Sequence, residues 1–439
     1  MKVVAFVPAK GSSERVPSKN MRVLDGEHLF KRKLKQLLAC KRIDEVWLDT
    51  DSDAMISLVA DLPVKILRRD PMLASNRRDG HEMFANECRY VPDADIVIQA
   101  LCTAPFITED TVSKVLDMLL AESRYDSLVA ARGQKFYSWT DGKPDYGYDR
   151  VPNSVDLPKT MAESMSLYMV KATAETFPHK RFGNSTLLFE VSPTEDIDIN
   201  NIEDLELAEQ ICAGQRLAEY SYFRVLKHHL SSSILSDVSK ELGHAIMVDP
   251  AIRPTSPGKI LGRAKTLKIT GLSSADQTPA QSDEWKGIYK ALNTYEFIRP
   301  GDVILVENEV PNRAYFGDLN CHLAMRAGAV GVVVDGFTRD VSQVTEMGLP
   351  VYARGRWSND IKYEGTTHSY NMPISVGGIP AKNNDVVFAD SDGVLVIPEG
   401  NWAEVREAAL TVLQNEGNIR RDLLAGRPVA EVIQSFGFF

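Results

Sequence analysis

Two stretches of this chain alternate short β-branched runs with segments of helical periodicity, and this alternation constrains the fold most strongly. In the first stretch the runs VVAFVPA (3–9), EVWLDT (45–50), ADIVIQA (94–100) and SLVAARG (127–133) are separated by helical patterns such as 108–122, where Thr108 can cap. Strands that alternate with helices form mostly parallel sheets covered by helices. The sequence therefore predicts an α/β fold for the first half of the chain.

The second stretch has strand patterns of its own, separated by glycines, and ends in a helical tail. A chain of 439 residues, 44% of them hydrophobic, can bury more than one core, so two domains are expected. The helical pattern at 202–230 is interrupted at Gly214, which suggests a junction near 215–222. We predict an N-terminal domain at 1–215 and a second α/β domain, with the helical tail, at 216–439.

Composition narrows the range of partners. The formal net charge of -10 argues against a nucleic-acid or anionic-membrane surface as the main partner. The apolar run at the N-terminus is only about seven residues long, too short for a signal peptide or a membrane span, so we expect a cytoplasmic protein. The five cysteines are scattered and form no CxxC pair, which favours reduced core thiols.

Ligands of mostly parallel sheets bind beside the carboxyl ends of the strands, so the loops after Ala9, Thr50 and Ala100 are the places to seek a site. The region 134–190 is looser and dense in Gly, Asp, Tyr and Trp. We interpret it as an irregular excursion of the lid or oligomer-arm type, without a packed element.

Segment 8–20, PAKGSSERVPSKN, follows the first buried strand, and we refer to it as the phosphate loop. Its small residues at 11–13 can turn backbone amides toward phosphate oxygens, while Arg15 and Lys19 can neutralise them. It matches neither the Walker nor the dinucleotide-binding pattern. A solvated polar turn is the alternative interpretation.

A second group of polar residues lies in EDIDINNIEDLELAE (195–209), the acidic segment. Asp196, Asp198 and Asn200 alternate at strand spacing before a helix and would project on one face. Oxygen ligands of this kind suit Mg²⁺, which is shared between one or two carboxylates and substrate phosphates. A helix cap or an acidic sheet edge is the alternative.

Taken together, these segments resemble the acylneuraminate cytidylyltransferase family, which includes the CMP-sialate and CMP-Kdo synthetases. The resemblance covers roughly residues 1–215 and implies a Rossmann-like nucleotidyltransferase domain. Besides the phosphate loop and IDINNIEDLELAE, it is carried by three further segments: LDTDS (48–52), RRDPMLA (68–74) and TAPF (103–106).

The resemblance implies transfer of CMP from CTP to an acidic sugar, with Mg²⁺ as cofactor. Arg15 and Lys19 would hold the triphosphate, and Asp198 with Asn200 would bind the metal. The candidate substrate-binding residues of this half are Ala9, Gly11, Ser12, Ser13, Asn20, Gln99 and Thr103. Two positions depart from the family pattern. Asn200 stands where a second metal aspartate is usual, and Leu101 stands where a glutamine is usual, with Gln99 two residues earlier.

In the second half the densest signal is AYFGDLNCHLAMRAGAVGVVVDGFTRD (314–340). Gly317 and Asp318 open a predicted helix, whose first amides, through Asn320, could hold a carboxylate or enolate oxygen. Arg339 offers a bidentate fork for the same anion, and Asp340 is a hard metal ligand. The alternative is an N-cap at Asp318 beside a surface Arg–Asp turn.

This stretch resembles the 4-hydroxy-4-methyl-2-oxoglutarate aldolase family, which also contains the regulator of ribonuclease activity A. The resemblance runs from about residue 222 to the end, with KNND (382–385) replacing a usual P-G-D turn. It implies that Asp340 binds Mg²⁺ or Mn²⁺, that Arg339 holds a pyruvyl group and that Asp318 handles protons through water. The candidate substrate-binding residues here are Gly317, Leu319 and Asn320.

The leading hypothesis is a bifunctional enzyme. Its second domain would make or cleave a 2-keto acid by a pyruvate-type aldol reaction without a Schiff-base lysine, and its first domain would activate an acid of that class with CMP. In one alternative the second domain only mediates oligomerisation or interaction. In another, prompted by Asn200, the first domain is a nucleotide-binding regulator. By resemblance to both families, we expect a homo-oligomer. The partners would be CTP, the acidic sugar and pyruvate or another 2-keto acid.

Overall fold

A computed structural model of the chain describes residues 1–12, 16–70, 72–73, 79–172, 180–272 and 287–437. Contacts between residues divide it into two compact units, Met1–Ile211 and Cys212–Phe439. Both units mix α-helices with β-sheets, as predicted. Helix α5 (Ile202–His229) runs without interruption through the point where they divide. The predicted break at Gly214 is wrong, because a single glycine costs a helix only about 1 kcal/mol.

Unit 1 is built on strands that follow one another closely in the sequence. The strands are β1 (Val3–Pro8), β2 (Val23–Leu24), β3 (Glu27–His28), β4 (Glu45–Thr50), β5 (Lys65–Arg68), β6 (Ile96–Ala100), β7 (Ser127–Lys135), β8 (Trp139–Thr140), β9 (Lys143–Pro144), β10 (Lys159–Lys171) and β11 (Thr186–Glu190). The helices before α5 are α1 (Leu29–Ala39), α2 (Asp53–Leu58), α3 (Gly80–Cys88) and α4 (Glu109–Ala121). Thr108 caps α4, as predicted, because its side chain accepts a hydrogen bond from the amide of Thr111.

The main sheet of unit 1 has the order β11-β7-β10-β6-β1-β4-β5. Strand β1 pairs in parallel with both β4 and β6, so its carboxyl end lies in the middle of the sheet. All six of its residues are buried, since helices cover both faces. One face packs on α1 and α4 through residues such as Phe30 and Leu116, and the other packs on α3 through Phe84. The loop after β1 therefore begins between the carboxyl ends of strands β4 and β6.

The interpretation of 134–190 as unpacked is wrong for two strands. Strand β10 lies between β6 and β7, antiparallel to both, and β11 forms an edge. The pairing of β10 with β7 shifts register between Glu163 and Tyr168, and Met165 there has a left-handed φ of 50°. The apolar run Leu167–Val170 is short and follows this bulge, so no long alternating pattern marked it as a central strand.

Unit 2 continues the numbering. The strands are β12 (Arg253–Ser256), β13 (Ile260–Gly271), β14 (Asp302–Asn308), β15 (Ala314–Phe316), β16 (Gly331–Thr338), β17 (Val351–Arg356), β18 (Gly365–Tyr370), β19 (Ile374–Val376), β20 (Ile379–Ala381), β21 (Val386–Asp390) and β22 (Gly393–Ile397). The helices after α5 are α6 (Ser232–Glu241), α7 (Asp318–Ala327), α8 (Val341–Met347), α9 (Trp402–Leu424) and α10 (Val429–Phe436).

The main sheet of unit 2 has nine strands, in the order β12-β17-β16-β14-β13-β21-β22, with β15 beside β16 and β18 beside β13. Its central pairs β13/β14, β14/β16 and β16/β17 are parallel. Helices α7 and α8 pack on one side of these strands through Cys321 and Val344, whereas α6 and α9 pack around Phe388 and Trp402. No helix in the described ranges is both long and apolar enough to cross a membrane.

Candidate functional sites

The start of the phosphate loop is attached to the end of β4. The amide of Ala9 donates to the carbonyl of Asp49 at 2.8 Å, and the amide of Gly11 donates to Asp51 Oδ1 at 2.7 Å. A Cβ atom on Gly11 would lie 3.0 Å from Cβ of Ser52, so glycine allows this close approach. The Gly11 amide is therefore engaged by a carboxylate. Of the predicted loop residues, Ser13 and Arg15 lie outside the described part of the chain.

The end of the loop is a short 3₁₀ turn, Lys19–Met21. Lys19 Nζ donates to the carbonyl of Ile199 at 2.7 Å, across 180 residues of sequence. Asn20 is buried and its Nδ2 donates to the carbonyl of Lys10 at 2.9 Å, which closes the loop on itself. The predicted pair Lys19-Asn20 thus has two uses: the lysine reaches another segment, and the asparagine fixes the loop.

The acidic segment and the Thr103 turn (103–106) meet at the same place. The amide of Ile199 donates to the carbonyl of Thr103 at 2.8 Å, while the Ile199 carbonyl accepts from Lys19. The structure therefore brings together three segments that are far apart in sequence: the phosphate loop, the Thr103 turn and residues 198–200.

Asp198 and Asn200 face each other within the acidic segment. Asn200 Nδ2 donates to Asp198 Oδ2 at 2.7 Å, and the Asn200 amide donates to Asp204 Oδ2 at 2.7 Å. Residues 197–200 form no strand, so the expected strand geometry is wrong. The Asn200 amide donates to the side chain of Asp204 in the first turn of α5 and not to a neighbouring strand. Asp196 points elsewhere, with its carboxylate 3.6 Å from Arg132. Burial raises the pKa of Asp196.

One carboxylate oxygen of the acidic segment is available to a hard cation such as Mg²⁺. Asp198 Oδ1 is buried and has no hydrogen-bond partner among the residues that the structure describes. An orphaned carboxylate oxygen is costly to bury unless a ligand or an ion satisfies it. Across the described ranges, however, no group of three or more His, Cys, Asp or Glu residues is arranged to hold a metal. A cation here would need oxygens from substrate or water, which is usual for Mg²⁺.

Gln99 lies on β6, one residue before its end, and is fully buried. Its Nε2 donates to Glu87 Oε2 at 2.6 Å, and its Oε1 has no partner within the described ranges. Burial raises the pKa of Glu87 well above its usual range, and the nearby carboxylate of Asp49 raises it further. Glu87 could not be identified from the sequence, since nothing in the local pattern distinguishes it from an ordinary helix residue.

In unit 2, the end of β16 and the start of α7 converge, as predicted. Gly317 is the N-cap of α7, and Asp318 is its first residue. The amide of Asp318 lies 3.3 Å from Asp340 Oδ2, and the amide of Arg339 donates to the carbonyl of Phe316 at 2.9 Å. Asp340 itself has a left-handed φ of 53° and precedes α8. Strain of this kind at a non-glycine residue occurs often at functional sites.

Gly317 is required by the close approach of Asp340. A Cβ atom at position 317 would lie 2.5 Å from Asp340 Oδ2 and 3.2 Å from Cγ of Arg339. No side chain fits there unless both residues of the Arg–Asp pair move.

We therefore expect Gly317→Ala to cost roughly 1–3 kcal/mol of folding free energy, as overpacking does, and to displace Asp340. Thermal melting should show the loss of stability. Gly400→Ala is the matched control, because a Cβ there meets no atom within 4 Å. Equal melting temperatures of the two variants would contradict this reading of the contact.

Arg339 is held between two carboxylates. Its Nη2 lies 2.7 Å from Asp360 Oδ2, and its Nε lies 3.5 Å from Asp340 Oδ2. The sequence analysis did not identify Asp360, which comes after β17 in a segment without a motif. Asp360 orients the guanidinium group and also occupies part of the fork that an anionic substrate would use.

A cavity of about 260 Å³ opens beside this group. Of the predicted residues, Gly317, Asp318, Leu319, Asn320 and Arg339 line it, whereas Asp340 lies behind them, against Gly317. The lining residues that the sequence analysis missed include Tyr289, Tyr315, Asp360 and Lys362. Hydrogen bonding with Tyr289 and Tyr363 raises the pKa of Lys362, so it stays cationic. Two cationic side chains, Arg339 and Lys362, therefore line the cavity together with the carboxylates of Asp318 and Asp360.

Family models match both halves of the chain. The cytidylyltransferase model matches residues 4–211, and the aldolase/RraA model matches residues 232–396. A protein of Halalkalibacterium halodurans provisionally named 4-hydroxy-4-methyl-2-oxoglutarate aldolase is 30% identical over 174 residues, which cover 39% of this chain and 76% of that protein.

Two further relatives are similar over parts of their length. N-acylneuraminate cytidylyltransferase of Oncorhynchus mykiss is 23% identical over 246 residues, 54% of this chain and 55% of that protein. Protein DlpA of Legionella pneumophila is 27% identical over 188 residues, 42% of this chain but only 29% of that protein. The chain thus spans less than a third of DlpA and about half of the cytidylyltransferase. Both resemblances recognised in the sequence are confirmed: residues 4–211 belong to the cytidylyltransferase family and residues 232–396 to the aldolase/RraA family, joined in one chain.

Proposed function

We propose that the N-terminal half transfers CMP from CTP to an acidic sugar of the 2-keto-3-deoxy class, such as a sialic or Kdo-like acid, with release of pyrophosphate. The observation that supports this most is the bridge at Ile199, whose carbonyl accepts from Lys19 and whose amide donates to Thr103. It joins the phosphate loop to the segment that carries Asp198. The name of the Oncorhynchus mykiss relative supports an acylneuraminate-like acceptor.

In this reaction the anomeric hydroxyl oxygen of the sugar bonds to the α-phosphorus of CTP. The bond from that phosphorus to the bridging oxygen breaks, pyrophosphate leaves with the electron pair, and the hydroxyl loses its proton. Lys19 and Arg15 would hold the triphosphate, and Asp198 and Asn200 would hold Mg²⁺. A bound Mg²⁺ would neutralise phosphate charge. Asn20 keeps the loop closed while these groups are positioned.

We further propose that the C-terminal half catalyses a metal-dependent, pyruvate-type aldol reaction on a 2-keto acid. In the cleavage direction the bond between C3 and C4 breaks. The hydroxyl proton at C4 passes through water to Asp318, and the electron pair forms the pyruvate enolate, which is then protonated at C3. Arg339 would hold the pyruvyl carboxylate, with Asp360 fixing its orientation. Asp340 would hold Mg²⁺ or Mn²⁺, which would stabilise enolate charge.

Joining the two halves in one chain supports a link between the reactions. The aldol reaction would make or consume an acid of the class that the first half activates.

A single screen tests the proposed function. The full-length protein is incubated with Mg²⁺, each of the four nucleoside triphosphates and a panel of sialic, Kdo-like and related acids, and pyrophosphate is measured. We expect turnover with CTP and one class of acid. Pyruvate release from the same acids is measured in parallel. Binding of CTP without turnover of any pair would contradict the transferase and favour a nucleotide-binding regulator.

A further inference from the structure

Four polar side chains from different elements of unit 1 meet in the core beside the end of β4. They are Asp49 on β4, Arg69 just after β5, Glu87 on α3 and Gln99 on β6, with 1%, 4%, 0% and 0% of their surfaces exposed. Charged side chains are almost never buried this far unless they are paired. The motifs in the sequence assign a role only to Gln99, so the other three need a separate explanation.

Arg69 and Asp49 form a two-pronged ion pair. Arg69 Nη2 lies 2.7 Å from Asp49 Oδ2, its Nε lies 3.0 Å from Asp49 Oδ1, and Nη2 also donates to the Asp49 carbonyl at 3.2 Å. Such a fork fixes both partners in position. The positive charge of Arg69 is thereby engaged directly by Asp49.

Among the described residues, no cation bonds directly to Glu87, and Arg69 acts on it only through space. Its Oε2 accepts from Gln99, its Oε1 has no donor among the described residues, and its side chain lies within hydrogen-bonding reach of Asp49. Two carboxylates this close in a dry site do not both ionise. A proton on Glu87 resolves the arrangement, because the resulting hydroxyl can donate to Asp49 while Oε2 still accepts from Gln99.

This cluster is connected to the phosphate loop through the backbone. The Asp49 carbonyl, which Arg69 contacts, accepts the amide of Ala9, the last residue before the loop turns. Two residues further along, Asp51 accepts the amide of Gly11. The position of the end of β4 therefore sets the position of the loop.

We propose that Asp49, Arg69 and Glu87 form a buried positioning network that fixes the phosphate loop through the end of β4 and fixes the amide of Gln99. These are positioning residues, since all three side chains are buried in the core. The inference rests on the proposed nucleotide-binding role of the loop, but the geometry it claims can be measured without any turnover.

Two substitutions at Glu87 separate this network from simple packing. Glu87→Gln reproduces the protonated acid, because its amide can donate to Asp49 and accept from Gln99. Glu87→Met keeps a similar volume but removes both hydrogen bonds. We expect Glu87→Gln to leave hydrogen exchange of the peptide covering residues 3–12 unchanged and to keep KM for CTP within about twofold. Glu87→Met should speed that exchange and raise KM for CTP roughly tenfold, with a smaller change in kcat.

The pH dependence gives a third readout. Among the described residues, the charged or titratable groups around Glu87 are Asp49, Arg69, Cys88 and, beside Gln99, Tyr168. The folded state raises the pKa of Glu87 above its usual value of about 4.3. Protonated Glu87 therefore stabilises the folded state at low pH, and this stabilisation is lost as the pH rises through the folded-state pKa. Glu87→Gln cannot ionise. Its melting temperature should therefore exceed that of the wild type increasingly as pH rises above about 4.3.

Several outcomes would overturn the inference. Glu87→Gln behaving as badly as Glu87→Met would mean that the carboxylate charge is needed, and unchanged loop exchange in Glu87→Met would mean that the network does not hold the loop. If Glu87→Met fails to fold, Arg69→Lys replaces it, since lysine keeps the charge but loses the fork. The exchange of β13, in the other unit, is the internal reference. Failure to find any acceptor sugar, with the exchange results as expected, would sink the proposed function and leave this inference standing.

Discussion

Replacing Asp340 with asparagine is expected to lower metal-stimulated pyruvate release by roughly 10²–10³-fold. The substitution keeps the shape of the side chain but removes the negative charge that a divalent cation and Arg339 both require. In the folded chain Asp340 Oδ2 lies 3.3 Å from the amide of Asp318 and 3.5 Å from Arg339 Nε. An asparagine oxygen can retain the first contact, so the fold should persist while the charge is lost.

The matched control is Asp392→Asn, which removes an exposed carboxylate in the turn between β21 and β22 of the same unit. Pyruvate release is followed with increasing Mn²⁺ or Mg²⁺, with melting temperatures measured on the same preparations. We expect Asp392→Asn to match the wild type in both measurements. A low, metal-independent release that is equal in the wild type and Asp340→Asn would sink the aldolase proposal and favour a non-catalytic second domain.

Much of the fold could be predicted because its strands are short, apolar and separated by clear helical patterns. Strand β1 consists of six consecutive buried residues, and a short apolar run of this kind can be recognised as a buried strand in the sequence. Strand β10 was missed because its central pairing begins after a bulge at Met165, which breaks the alternation that identifies a strand. Gly214 does not interrupt α5 as expected, because the rest of the helix outweighs the small local cost of one glycine.

In the candidate sites, residues within a motif could be predicted from the sequence, whereas residues outside a motif could not. Segments with a motif, such as Gly317–Asp318 and Arg339–Asp340, come together as the spacing indicates. Residues that act through contacts with distant partners carry no local signal. Asp360 becomes relevant only because the chain folds it to 2.7 Å from Arg339. The same is true of Glu87, which is an ordinary glutamate in the sequence and is fully buried beside a second carboxylate in the fold.

Asp198→Asn should reduce pyrophosphate release from CTP by roughly 10²–10³-fold, because it removes the one carboxylate of the Asp198–Asn200 pair. Asp198 Oδ1 is buried without a partner in the described part of the chain, and an ion or its hydration shell would satisfy this oxygen. Glu206→Gln, an exposed change on α5 that also removes one negative charge, is the control. Equal loss in both variants would point to a general charge effect and contradict a metal role for Asp198.

Asn200→Asp is the more discriminating change, because it should move two properties in opposite directions. Asn200 Nδ2 donates to Asp198 Oδ2 at 2.7 Å, and an aspartate in its place would set two carboxylates against each other. Without a divalent cation the variant should melt at a lower temperature than the wild type. With Mg²⁺ and CTP it should gain more stability than the wild type and need less Mg²⁺ for half-maximal pyrophosphate release. If Mg²⁺ raises both melting temperatures equally, the cation does not bind between these residues, and the metal site of the transferase must be sought elsewhere.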